Sequence, residues 1–255
     1  MSDRIGRSLW ISWSGVAVIL LLWQLIATTG LVPRAILPGP VDVVTDAFET
    51  LTPATLGLHV GVSLMRVLGG FALGTLAGIA VGVVSGWYRR AGRAMWGPLE
   101  LLRPIPPLAW LPLALLWFGL GEASKVFIIF LGAFFPVATN TYKGVLTVDP
   151  LIIRAARTLG LKGRSLLVRV AVPAALPDIA TGMRVAWSLS FGSLVAAEIL
   201  AAQQGLGFLI MRARELGQLG LVVFGILVIG VLNLVTDYLI NRGIFMRRLA
   251  WHGSD

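Results

Sequence analysis

Six stretches of this chain run for roughly twenty residues with at most one charge each, and that recurrence constrains the fold more than any other feature. They are Ser8 to Pro33, Val67 to Tyr88, Pro104 to Gly121, Val126 to Tyr142, Ile179 to Ala197 (broken by Arg184) and Leu216 to Thr236. About 20 helical residues, rising ~1.5 Å each, cross the ~30 Å hydrocarbon core of a bilayer. Lipid gives a backbone no hydrogen-bond partners, so each stretch must satisfy itself as a helix. The expectation is an all-α polytopic membrane protein, a single transmembrane domain over residues 1–255, with spans near 10–30, 64–87, 104–120, 125–144, 179–201 and 217–240. Composition agrees: 57% of the 255 residues are apolar and only 13% charged, outside the range of soluble domains. The first stretch is too long for a signal peptide and lacks a small-residue cleavage site, so it is expected to remain as an anchor.

The net charge of +9 is informative through its placement. With the N-terminus in the cytoplasm, fifteen of the 21 basic residues fall on the inner side, and five (Arg34, Arg66, Lys125, Arg212, Arg214) on the outer side. The positive-inside rule then puts both termini and the basic segment 149–177 in the cytoplasm. This reading makes membrane lipid, not nucleic acid, the partner of the positive charge. Cysteine is absent, and the two histidines, His59 and His252, stand far apart, so neither a thiolate nor an imidazole metal centre is expected. No phosphate-binding G-x-x-x-x-G-K-[ST] loop occurs, and no clustered catalytic groups point to an intramembrane enzyme.

Within the spans three features stand out. Gly70, Gly74, Gly78, Gly82 and Gly86 form a side-chain-free ridge, along which helices can approach closely. The neighbour is a helix of the same chain, the preferred reading, or of a second copy. The third stretch opens Arg103-Pro104-Ile105-Pro106-Pro107 and contains Pro112, so its first turns cannot complete their hydrogen bonds. Broken backbone at membrane depth is tolerated where protein covers it or it lines a cavity, which makes Pro104, Pro106 and Pro107 candidates for a translocation pathway. In the fifth span Arg184 and Glu198 are fourteen residues apart, on one helix face but ~21 Å distant along the axis. With Ser188, Phe191 and Val195 they draw a stripe. Intramembrane ionisable groups are functional candidates, although Arg184 is also close enough to the boundary to snorkel. Asn140 in the fourth span joins Arg184, Ser188, Phe191 and Glu198 as a pathway candidate.

The segment 149–177, PLIIRAARTLGLKGRSLLVRVAVPAALP from Pro150 on, is a charged excursion between apolar spans. Asp149-Pro150 starts a helix; Ala155, Ala156 and Leu159 give it a small-residue face; Gly160 permits a turn. A second helix begins near Gly163, limited by Pro173 and Pro177. A small-faced helix rigidly joined to two spans has the geometry of a mechanical coupler.

At these residues the chain resembles the permease subunits of bacterial ATP-binding-cassette (ABC) importers, whose loop reads E-A-A, three residues, G, nine residues, I-x-L-P. Ala155, Ala156, Gly160 and Leu176-Pro177 are matched to it, with Arg154 where the family usually has Glu. The runs Arg103 to Pro112, Trp117 to Lys125, Val195-Ala196-Ala197-Glu198 and Gly205-Leu206-Gly207 narrow the resemblance to the nitrate, sulfonate, taurine and bicarbonate branch. The Ile-Arg-Ala-Ala loop and the closing Trp251-His252-Gly253 look most like the taurine-type permease. The resemblance implies a type I importer permease (MetI-like) fold in the bacterial inner membrane. It implies a homodimer with two ATPase subunits and a periplasmic substrate-binding protein, ATP and Mg being bound by the partner and no cofactor by this chain. It assigns Arg154, Ala155, Ala156, Arg157, Leu159, Gly160, Pro173, Leu176 and Pro177 to ATPase coupling, and a small oxyanion, taurine or another sulfonate ahead of nitrate or bicarbonate, as cargo. A stand-alone secondary transporter is the alternative from another class.

Overall fold

A computed structural model describes residues 2–29, 33–34 and 36–240, with side chains from residue 14 onward except residue 16. Of the fifteen basic residues counted on the inner side, Arg242, Arg247 and Arg248 and the side chains of Arg4 and Arg7 lie outside what is described, as does the closing Trp251-His252-Gly253. All regular structure among the described residues is helical. In chain order it comprises α1 (Ser2–Thr28), α2 (Pro40–Thr50), α3 (Pro53–Trp87), α4 (Arg89–Leu102), a 3₁₀ turn (Pro107–Trp110) and α5 (Leu111–Phe118). Then follow α6 (Glu122–Leu146), α7 (Pro150–Thr158), α8 (Gly163–Leu166), a π turn (Leu167–Ala171), α9 (Val172–Ala174), α10 (Leu176–Ala201), α11 (Leu206–Glu215) and α12 (Leu219–Ile240).

Among the described residues four helices, α3, α6, α10 and α12, are long and apolar enough to cross a membrane, and counting the bent pair α4 with Pro107–Phe118 as one span gives five of the six expected. The described apolar part of α1 covers Ala17–Thr28. The second span is longer than its charge-free window, because α3 starts at Pro53, capped by the Thr52 hydroxyl on the Thr55 N–H. Thr-Pro is a strong start signal, since proline at the first helical position has no donor to lose. Arg66 thus lies thirteen residues inside α3, where the expected span near 64–87 has it at the very start.

The glycine ridge of α3 packs on α6 of the same chain. A Cβ on Gly70 would meet Ile129, one on Gly78 the backbone of Phe134 and Ala138, and one on Gly86 Val145. Both numberings rise together, so α3 and α6 are parallel, and the residues between them must recross the bundle. They do so with a 92° bend between α4 and the 3₁₀ turn, at Arg103 to Pro106, where the prolines remove donors. α10 runs antiparallel to α6, with Gly132 against Leu189 and Ser193 at one end and Gly144 against Asp178 at the other. The central core is Val67, Phe71, Ile129, Val137, Trp187 and Phe191. In α2 the buried residues are Val43 and Ala47, while Val41, Val44 and Phe48, which recur at helical spacing, face outward, Phe48 being 82% exposed.

Candidate functional site

Three places gather the polar groups. At the end of α10 attached to the basic segment, Asp149 caps α7 through the Leu151 N–H (2.7 Å). Gly160 closes α7 at φ +88, with Leu161 N–H donating to Ala156 O and Gly160 N–H to Arg157 O. This pair of bonds is the Schellman arrangement, whose left-handed residue is best supplied by glycine. Ala156 is buried toward the rest of the loop, whereas Arg154, Ala155, Arg157 and Leu159 are exposed, Leu159 by 84%. Leu151 and Ile152 also face outward. Behind them Leu166, Leu167, Ala171 and Ala175 are buried, with Val145 of α6 and Ile179 of α10 close by in the core. The loop therefore has an anchored inner side and a free outer side that is apolar at its centre and cationic around it. Pro173 falls inside the second helix, just after the π turn, and the helical break comes at Ala175. Nine residues after Gly160 come Val170-Ala171-Val172-Pro173, so by the resembled spacing Pro173 is the closer counterpart of the final proline, and Leu176-Pro177 instead open α10.

Midway along α6 and α10 is a cleft of about 320 Å³ lined by Arg103, Ile105, Pro107, Pro136, Asn140 and Val185, among others. Asn140 donates to Pro136 O (2.9 Å). Pro107 and Asn140 thus meet there as candidates. Arg184 is exposed on α10 but outside the lining, so the cation at this cleft is Arg103. Ser188 is also exposed outside the lining. Phe191 is in the core against Trp187, at a ring-centroid distance of 5.3 Å.

The third place was not foreseen. Glu198, 0% exposed, accepts from Arg66 Nη1 (2.8 Å), from Ser63 Oγ (2.8 and 2.9 Å to its two oxygens) and from Gly207 N–H (2.9 Å). Arg66 also donates to Gln204 O (2.6 Å) and, as a fork, to Glu122 (2.5 and 2.7 Å), which accepts from Lys125 Nζ (2.9 Å) as well. Ser63 accepts from Leu206 N–H, and His59 Nδ1 from Gly205 N–H. A Cβ on Gly205 or Gly207 would strike the Glu198 side chain, which is why this turn is Gly-Leu-Gly. The stripe of Arg184 to Glu198 is therefore divided between surface and core, and Glu198 closes a buried network instead of facing the cleft. Its charge partner is on another helix. Arg66 and Lys125, expected in outer solvent, are 5% and 3% exposed. The sequence did hold a signal for Arg66. It sits four residues before Gly70, so it heads the glycine ridge and points at α6.

A lipid-spanning helix bundle with an anchored, outward-facing basic loop at one end and a buried charge network at the other has the architecture of a transport-type membrane component. Comparison with known proteins gives the family. Residues 61–243 match the binding-protein-dependent transport system inner membrane component family, and the chain belongs to it, as a transmembrane ABC transporter permease. It is 37% identical over 255 residues to the taurine transport system permease protein TauC of Escherichia coli K12, covering 98% of this chain and 92% of that protein. It is 37% identical to the putative aliphatic sulfonates transport permease protein SsuC of Bacillus subtilis 168, covering 93% and 86% of the two chains. To the bicarbonate transport system permease protein CmpB of Synechococcus elongatus it is 35% identical, over 88% and 84%.

Proposed function

We propose that two copies of this chain form the path by which a small oxyanion, taurine or another sulfonate, crosses the bacterial inner membrane. The drive is ATP hydrolysis by two ATPase subunits docked on the cytoplasmic loops, with substrate delivered by a periplasmic binding protein. The observation that carries the reading is the loop 149–177. Its inner side is packed on α6 and α10 while Leu151, Ile152, Arg154, Arg157 and Leu159 are left facing outward. A partner that grips this surface moves two membrane helices with it. In this orientation both termini are cytoplasmic, and the Glu198 network lies at the periplasmic end. The cleft by Arg103 and Asn140 suits a small anion, since its volume is at the low end of the ~300–1,000 Å³ of ligand pockets. The likeness to the taurine and sulfonate permeases supports that cargo, and the likeness to the bicarbonate permease makes bicarbonate the second choice.

The test is uptake of labelled taurine into proteoliposomes holding the permease, its ATPase and its binding protein, with the membrane potential collapsed by ionophore. Uptake should require ATP and be competed by alkanesulfonates. Uptake without ATP would instead establish a stand-alone transporter, and competition by bicarbonate alone would reassign the cargo.

A further inference from the structure

Among the described residues Arg66 and Lys125 are the buried cations, and both turn to one carboxylate, Glu122. Glu122 differs from its neighbours in being 61% exposed at the side chain, whereas Glu198 is wholly enclosed. Its two oxygens lie where those of any bidentate oxyanion would lie: on the guanidinium fork at 2.5 and 2.7 Å and on the ammonium at 2.9 Å. Fork geometry of this kind is what arginine offers to planar or tetrahedral oxyanions. Glu122 also opens α6, whose preceding Gly121 contributes no side-chain cap, so the positive end of the helix dipole adds to the two cations.

We infer that Arg66, Lys125 and the first turn of α6 form an anion subsite that the chain's own Glu122 fills until a small monovalent oxyanion displaces it. Charge balance favours the exchange. Arg66, Lys125, Glu122 and Glu198 sum to zero, and a monoanion entering as Glu122 swings into water leaves the enclosed charge unchanged. Glu198, itself held by the Ser63 hydroxyl, and Gln204 O keep Arg66 in place throughout. Lys125, Gly132 and Thr139 follow one side of α6 at seven-residue steps, each drifting only ~20°. The latter two line the cleft that contains Arg103, so the subsite and that cleft lie along one side of α6. The ligand class rests on the oxyanion reading above, and the subsite on this geometry.

The test is titration calorimetry of the purified full-length chain in zwitterionic nanodiscs with methanesulfonate, nitrate and bicarbonate. A self-occupied site binds in proportion to the fraction vacant, so Glu122→Gln should tighten apparent affinity about tenfold. Adding Lys125→Met to that variant should weaken it again by about tenfold or more, the loss of a charge-assisted contact. Unchanged or weaker binding by a Glu122→Gln protein with wild-type circular dichroism overturns the inference. Should that variant fail to insert, Glu122→Asp, which keeps the charge but shortens the reach to the Arg66 fork, must tighten binding several-fold, and unchanged or weaker binding there overturns it too. If anionic lipid in the nanodisc abolishes methanesulfonate binding by Glu122→Gln, the occupant is a headgroup and the inference falls. Anion binding that tightens in Glu122→Gln without any anion uptake by the assembled transporter refutes the transport reading and keeps the subsite. Sulfonate uptake with affinity indifferent to Glu122 does the reverse.

Discussion

Replacing Glu198 with glutamine keeps the shape of the side chain and removes one charge and one acceptor. In the native network Oε1 takes Arg66 and Oε2 takes the Gly207 N–H, with Ser63 shared between them. A glutamine amide presents one oxygen and one NH₂, so either Arg66 or Gly207 must face a donor. The remaining Arg66, Lys125 and Glu122 carry a net positive charge in a place where Arg66 is only 5% exposed. Breaking a buried pair by neutralising one partner costs about 3–5 kcal/mol. For a chain of this size ~2–4 °C of melting temperature go with each kcal/mol, so Glu198→Gln should melt about 6–20 °C lower. Scanning fluorimetry of purified protein in detergent measures it, with Glu215→Gln as the comparison. Glu215 pairs with Arg212 at 3.4 Å on the surface, and exposed pairs contribute at most about 1 kcal/mol. The double variant Arg66→Gln/Glu198→Gln should recover part of the loss, because it leaves no uncompensated charge. A Glu198→Gln shift no larger than that of Glu215→Gln would refute the reasoning.

Gly160→Ala meets no atom within 4 Å, so its penalty is the left-handed backbone alone, roughly 1–2 kcal/mol. Insertion and ATPase activity should persist while uptake per ATP falls in proteoliposomes, and Gly160→Asn should retain more coupling than Gly160→Ala. Gly78→Ala would place a Cβ 2.9 Å from Phe134 O and should destabilise by about 1–3 kcal/mol, whereas Gly69→Ala, with open space, should be neutral or stabilising by up to ~1 kcal/mol. Gly78→Ala should lower the melting temperature, and Gly69→Ala should leave it unchanged or raise it. Arg103→Ala should raise the KM for anion uptake several-fold, on the order of one charge-assisted contact, while Arg184→Ala leaves it near wild type. Equal effects in the two uptake assays would remove Arg103 from the path.

The membrane-embedded helical class and the position of the coupling loop were legible because they depend on local quantities. A charge-free run reports its own insertion energy, Asp149-Pro150 reports a helix start, and Gly160 reports a turn, each within a few residues. The glycine ridge was likewise readable as a contact surface, though α6 as its occupant was not. What only the tertiary structure decided was which distant residues meet. Arg66 and Glu198 are 132 positions apart, and nothing local states that one completes the other. Counting Arg66 with the outer charges followed from treating each charge as facing water or lipid, when a parallel α3 and α6 provide a third environment between them. The stripe of Arg184, Ser188, Phe191 and Glu198 shares one helix face by periodicity, yet its neighbours change along the axis from open surface to α3. Helical period determines the direction in which a side chain points, and packing alone determines what it finds there.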